Sequence, residues 1–421
     1  MYPNPQDVLP LPPHPDLDQY RTRAKDLATA CRSGDGSIHV WATQWIGALV
    51  RLQPEVFRQP QREIDRRTHQ IADFARDRLG RSDCALSQAQ FVIARAHGFE
   101  SWPRLVHHVE RLTHRDSDIS TFERAAEAVV TGDLPALERL LRDDPPLVGV
   151  RSSREHRATL LHYVSANGVE SYRQHTPGNI LAIAQHLLDA GAEVDAEADV
   201  YGGGLTTFAL VVTSEGPRAA GVQNDLADLL LARGARMDPR IVHYALVNGC
   251  PEAAAHLADL GAPVGLIEAA GIGRLDAIRQ AFESPGSVSD QDRGAAMVMA
   301  AWSGQRDAIA LLLDLGVNPG ARRTHDGQTA LHAAAFQGDV ALVELLLRHQ
   351  APLEVTDKVY GTPPMRWALH AWLVENRPNP DDYAAIVRAL AAAGARVRPE
   401  WLDHDRLRAD GDLYAELLRS A

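Results

Sequence analysis

The chain has 421 residues, 45% hydrophobic and 23% charged, which is enough apolar material for a large core. Its net charge of −12 weighs against nucleic acid as a partner, because phosphate neutralisation dominates that affinity. No stretch approaches the roughly 18 apolar residues of a bilayer crossing, and the opening MYPNPQDVLPLPPHPD lacks the basic start and apolar run of a secretory signal. Cys31, Cys84 and Cys250 are odd in number and widely scattered, which fits a reducing, cytoplasmic setting.

Residues 1–16 read as a Pro-rich extended arm. From there to residue 115, helical spacing recurs: Leu17, Tyr20, Ala24, Leu27, Ala28 and Cys31 mark a first helix, with others over about 37–52, 61–79, 86–97 and 101–113. In IARAHGFESWPRL, Ser101 is placed to cap the last of these, and Pro103 falls in its first turn, where a missing N–H costs little. Arg104, His107, His108 and Arg111 then face outward as a DNA-reading helix would. Residues 1–115 carry only 16 Arg/Lys against 13 Asp/Glu, leaving 27 and 42 of the chain's 43 and 55 for the remainder. A solvated helix face beside a buried Trp102 is the preferred reading.

From about residue 120 the pattern changes. Small-residue helix, Gly and leucine-rich helix recur, the second helices ending LLRDD at Asp144, LLDAG at Gly191, LLARG at Gly234, LADLG at Gly261, AFESP at Pro285, LLDLG at Gly316, LLRHQ at Gln350 and LAAAG at Gly394. The clearest unit is DGQTALHAAAFQGDVALVELLLRHQAPL, at Asp326–Leu353. Asp326-Gly327 supplies a turn, Thr329 caps the first helix and Gly338 ends it. Val340, Val343, Leu346 and Leu347 make the apolar stripe of the second helix. This unit resembles an ankyrin repeat, whose signature is about 33 residues carrying T-P-L-H-x-A. The IAR-x-x-G-F-x-S-W-P-x-L block is similar to a short helical preface found ahead of many bacterial ankyrin-repeat proteins. A genome rich in GC would suit the arginine bias, with Lys25 and Lys358 the only lysines.

The fold expected is all-α: a helical preface domain over 17–115, a solenoid of about eight helix pairs with β-turn fingers over 120–399, and a capping helix over 400–421. Repeats contact only their neighbours, so the array is expected to fold without residues 1–115.

Motifs that carry chemistry are weak. His162, His243 and His332 share one repeat position, where a structural role is favoured over a metal ladder, since Leu210 and Val298 interrupt the series. GIGRLD, with Gly271 and Gly273, is half a dinucleotide fingerprint without a strand before it. Gly202–Gly204 can cradle a phosphate, but a finger belongs there. No Walker loop, G-x-S-x-G elbow or HExxH occurs. No metal or cofactor is expected, and the reading leans away from an enzyme.

The resemblance implies binding of another protein on the concave face, through fingers and the residues before each first-helix glycine. Those positions are Asn167, Glu215, Asn248, Trp302, Ser303, Phe336, Gln337 and His370. Trp302 and Phe336, in the same slot of adjacent repeats, suit a hot spot. Truncating either is expected to weaken the partner with little change in melting temperature. Insertions enlarge repeats two (VESYRQHTPG), three (GPRAAGVQN) and eight (NRPNPDD). Hence an alternative small-molecule or enzymatic site is drawn from Tyr163, Tyr172, Arg173, Gln174, His175, Tyr201 and Trp367. Charge reversal at Arg173, which sits on that enlarged edge, is expected to leave a groove-bound protein largely unaffected.

Overall fold

The computed structural model describes every residue except 1–3, 5–6, 13, 53–59, 81–82, 115, 284–285, 287 and 421. Parts of the Pro-rich arm, the preface boundary at 115, the repeat end at Pro285 and the last residue of the capping helix therefore lie outside the described residues. The chain divides into two compact units, Met1–Asp238 and Pro239–Ala421.

The first unit opens with helices α1 (Leu17–Ser33), α2 (Asp35–Leu52), α3 (Pro60–Gly80), α4 (Leu86–Ala96) and α5 (Trp102–Leu112). Asp16 starts α1 by accepting the Asp18 N–H, and the expected stripe of Tyr20, Ala24, Leu27 and Ala28 is buried. It joins Trp45 and Ile46 of α2 and Val92 and Ile93 of α4 in one core. The arm is pinned to this core: Leu9 is buried, and its N–H donates to the Ala96 carbonyl at 2.8 Å. Cys31 and Cys84 are joined by a disulfide with Cα atoms 5.8 Å apart, so the inference from scattered cysteines to a reducing compartment falls away. Ser101 stands at the start of α5, but its hydroxyl makes no capping bond, whereas Pro103 takes the first turn as expected. His108 is not on an exposed reading face; its Nδ1 lies 2.7 Å from the Ser153 hydroxyl and the residue is fully buried.

Three repeats follow in this unit. The first pairs α6 (Asp118–Thr131) with α7 (Leu134–Asp143), and the second pairs a 3₁₀ turn (Leu160–Ser165) with α8 (Ile180–Asp189). An antiparallel finger, β1 (Glu197–Val200) and β2 (Gly203–Thr206), leads to the third: α9 (Thr207–Val212), a short α10 (Glu215–Ala219) in the insertion, and α11 (Gln223–Ala232). Tyr201-Gly202 form the finger's turn, both with positive φ, which suits Gly and strains Tyr201. The Glu197 carboxylate sits against Gly204, so the triplet presents a negative charge where a phosphate would need donors.

Repeats four to eight form the second unit. Their helix pairs are α12 (Ile241–Val247) and α13 (Pro251–Asp259); α14 (Leu266–Gly271) and α15 (Leu275–Phe282); α16 (Asp290–Trp302) and α17 (Arg306–Asp314); α18 (Ala330–Gln337) and α19 (Val340–Arg348); α20 (Pro364–Leu369) and α21 (Pro380–Ala392). Two further helices, α22 (Asp405–Ala409) and α23 (Gly411–Ser420), close the end, with Leu407, Leu413 and Leu417 buried against the stack. Gly273 follows α14 at φ +73°, a helix stop rather than a nucleotide loop. The stripe of α19 differs slightly from expectation: Leu342, Val343 and Leu346 are buried, while Val340 and Leu347 are half-buried.

The preface and the first repeats are tied by buried and part-buried polar contacts within one unit. Arg154 donates to the His97 carbonyl at 2.8 Å, Arg95 pairs with Glu155, and Arg67 donates to the Ser171 hydroxyl at 3.1 Å. Removing residues 1–115 is therefore expected to destabilise repeats one to three, against the expectation from repeat locality, while Pro239–Ala421 remains folded. Limited proteolysis of the truncated chain checks this; full protection of 120–238 would refute it.

Candidate protein-binding cleft

The aromatics of repeats six to eight converge. Trp302 ends α16 and Phe336 lies near the end of α18, one helix pair further on, with ring centroids 5.6 Å apart. Trp367 of α20 stands edge-on to both, at 6.3 and 5.5 Å, and Tyr360 from the preceding finger reaches it at 5.9 Å. Such perpendicular rings pack favourably while leaving faces open between them. The cleft they bound is about 650 Å³, with Gln328, Val359, Thr362, Arg366, His370 and Glu375 completing its walls.

Local chemistry holds the rings in place. The Trp302 indole donates to Gln328 at 2.9 Å and the Trp367 indole to Asp357 at 3.2 Å. Burial raises the Asp357 carboxyl, but N–H donors from Tyr360, Thr362, Trp367 and Val359 outweigh it and hold the pKa at about 2. Asp357 thus fixes both the finger and the central indole. Gln337 donates to the Trp302 carbonyl at 2.6 Å, so it braces neighbouring repeats. A π turn at His370–Val374 leads into the insertion of repeat eight. It lays the Arg377 guanidinium 4.2 Å from the Phe336 ring centre, with its Nε 3.1 Å from Glu375.

The cleft gathers Trp302, Phe336 and His370 from the groove positions, and Trp367 from the alternative set. Ser303 caps α16. Asn248 is exposed and donates to the Tyr244 carbonyl, while Glu215 pairs with Arg218 at 2.6 Å. Asn167 accepts from the Tyr201 hydroxyl at 2.7 Å, tying repeat two to the next finger. The sequence did not mark Gln328, Val359, Tyr360, Thr362, Arg366 or Glu375 as walls of one cleft, since separate segments of repeats seven and eight supply them.

The remaining alternative residues lie in the first unit, mostly inside it. Tyr163 is fully buried and Arg173 nearly so. Arg173 meets Glu123 at 2.7 Å, and Arg154 meets Glu170 at 2.5 Å, in a cluster with His156 at 3.4 Å from Glu170. Burial raises the Glu170 carboxyl, but Arg154, His156 and Arg173 hold it well below the ordinary range. The Arg173 guanidinium lies over Tyr163 and Tyr172, at 5.9 and 5.7 Å. Gln174 donates to the Val169 carbonyl, and His175 is exposed. Charge reversal at Arg173 therefore acts on a buried ion pair rather than on an exposed edge.

The histidine series resolves into local hydrogen bonds. In His332, Nδ1 accepts the Thr329 N–H at 3.2 Å and Nε2 donates to the Thr362 carbonyl at 3.1 Å. His162 takes the Thr159 N–H in the same way at 3.1 Å, whereas His243 pairs with Glu268 at 3.0 Å. Among the described residues no group of three or more His, Cys, Asp or Glu side chains is arranged to hold a metal. His332→Ala orphans the Thr329 N–H and takes one of two donors from the Thr362 carbonyl, which keeps the Asp357 N–H, so it is expected to cost about 1–2 kcal/mol in chemical denaturation.

Burial pushes His97 to about 3 and His108 and His162 to about 4. Each is neutral when folded and has an ordinary value of about 6.5 when unfolded. Their stabilising contribution is complete above about 6.5 and is lost as pH falls towards these folded values. The lowered carboxyls of Glu123 and Glu170 act in the same direction at lower pH. The urea midpoint of the full chain is thus expected to fall steadily from pH 7 to pH 4.5; a rise would contradict it.

Stacked helix pairs with Thr-x-x-His starts and Gly stops define an ankyrin-repeat fold. Residues 266–358 and 296–398 match the family described as ankyrin repeats (3 copies), so the aromatic cleft lies inside that matched segment. The chain is similar to ankyrin repeat and SOCS box protein 16: 34% identical over 166 residues to that of Mus musculus, covering 39% of this chain and 32% of that one. It is 30% identical over 254 residues to that of Homo sapiens, covering 52% and 51%. Protein PhlB of Serratia liquefaciens is 40% identical over 72 residues, 17% of this chain and 31% of that protein. The chain thus spans about half or less of these relatives' length. Among solved structures, the human ASB11 ankyrin repeat domain aligns at 22% identity and a TM-score of 0.34, over 63% of this chain and 96% of that one. No helix among the described residues is long and apolar enough to cross a membrane.

Proposed function

We propose that this protein is a protein-binding adaptor whose recognition surface is the aromatic cleft of repeats six to eight. The observation that carries this reading is the fingertip at its mouth. Val359 and Tyr360 are 62% and 72% exposed and stand beside three further aromatic rings. Clustered apolar side chains left in water mark interaction sites, and aromatic anchors around a pocket are the usual hot spots of protein interfaces. Affinity capture with the wild-type chain and with Tyr360→Ser tests it. A protein retained by the first and lost from the second, with unchanged melting temperatures, is the expected result; equal recovery on both would defeat the proposal.

A second reading keeps a small-molecule site in the first unit. It is favoured by a cavity of about 630 Å³ lined by residues that include Arg95, His156, Asp199, Tyr201 and Gly202. Thermal-shift screening of polar metabolites distinguishes it: a stabilising ligand whose effect is lost in Tyr201→Ala supports this alternative.

A further inference from the structure

We infer that the cleft takes an acidic segment of a protein partner, with an apolar side chain seated among Trp302, Phe336 and Trp367 and a neighbouring carboxylate on Arg366. This rests on the protein-binding reading above and names the chemistry that the same cleft selects.

One positive charge is left over in the cleft after its internal pairs are made. Asp357 is buried and already accepts from the Val359, Tyr360 and Thr362 N–H groups and from the Trp367 indole. Glu375 is shared by Arg377 at 3.1 Å and His370 at 3.6 Å. Arg377 is further engaged by the Phe336 ring. Arg366 lines the cleft half-buried, and among the described residues its side chain has neither a hydrogen bond nor an ion pair. A guanidinium held beside a largely apolar wall strengthens its attraction for a carboxylate and offers a bidentate geometry. A cationic partner would instead meet Arg366 and Arg377 with a single, already shared, carboxylate to receive it. The chain as a whole is acidic at −12, so long-range attraction does not draw an acidic partner in. The preference is local and takes effect only once the apolar anchor is seated.

Selection of random peptides displayed on phage against the full-length protein tests this, followed by calorimetry of a synthetic peptide from the enriched set. The expected consensus is a Leu-, Phe- or Trp-type residue with Asp or Glu within two positions. Changing that acid to its amide is expected to weaken binding to wild type at least ten-fold and to change binding to Arg366→Gln by less than two-fold. Arg366→Lys keeps a charge and is expected to retain part of the acid preference, which guards against loss through misfolding. Peptides that need Phe336 but prefer Lys or Arg, or are indifferent to charge, would overturn the acidic inference and leave the protein-binding reading standing. Enriched peptides that bind Phe336→Ala as well as wild type, or no enrichment at all, would overturn both.

Discussion

Arg173→Glu is expected to unfold much of the first unit at temperatures where wild type is intact. The substitution places a carboxylate against Glu123, with Glu170 beside it, in a cluster whose members are almost wholly removed from water. Removing one partner of a buried ion pair leaves an uncompensated charge and costs about 3–5 kcal/mol; reversing it adds repulsion to that loss. Total domain stabilities lie at about 5–15 kcal/mol, so the loss is a large fraction of the whole. The cluster balances two guanidinium groups, Arg154 and Arg173, against two carboxylates, Glu123 and Glu170. Replacing the pair together, as Arg173→Met with Glu123→Leu, is therefore expected to recover most of the stability, because apolar side chains of similar volume substitute well for a buried pair. Urea denaturation of the three variants by circular dichroism measures both effects. An Arg173→Glu chain as stable as wild type would mean that the cluster is open to solvent.

The second large effect separates stability from recognition within the aromatic cleft. Trp367 is only 8% exposed and joins three rings to Asp357, so Trp367→Ala is expected to cost about 3–5 kcal/mol of folding free energy. Tyr360 is 72% exposed, and Tyr360→Ala is expected to move stability by no more than about 0.5 kcal/mol. The same change should weaken a cleft-bound partner by about 2 kcal/mol or more. Trp302 and Phe336 are half-buried and pack on the core, so their alanine variants are expected to lose both. This replaces the simpler expectation that neither would shift the melting temperature. Thermal denaturation with calorimetric titration of the captured partner separates the two quantities. If Tyr360→Ala binds normally, the finger lies outside the interface.

Local signals in the chain determined the repeat units because the forces behind them act over a few residues. Asp326-Gly327 makes its turn with Gly327 at φ +72°, and Gly338 stops its helix at φ +77°. The His332 ring bonds back to Thr329 three positions earlier. Trp302 and Phe336 were legible as neighbours because equivalent slots in adjacent repeats stack in space.

Tertiary structure alone decided the rest. Trp367 read as part of an enlarged edge, yet packing turns it in between Trp302 and Phe336. Arg173 read as a surface residue of an insertion, and only the folded unit brings Glu123, fifty positions away, to neutralise it. Cys31 and Cys84 read as isolated until the packing of α1 against its neighbours set them together across 53 residues. Each of these depends on contacts between segments remote in sequence, where neither helical period nor turn chemistry carries information. Burial then fixes which charges must be paired, as Arg173 and Glu123 are.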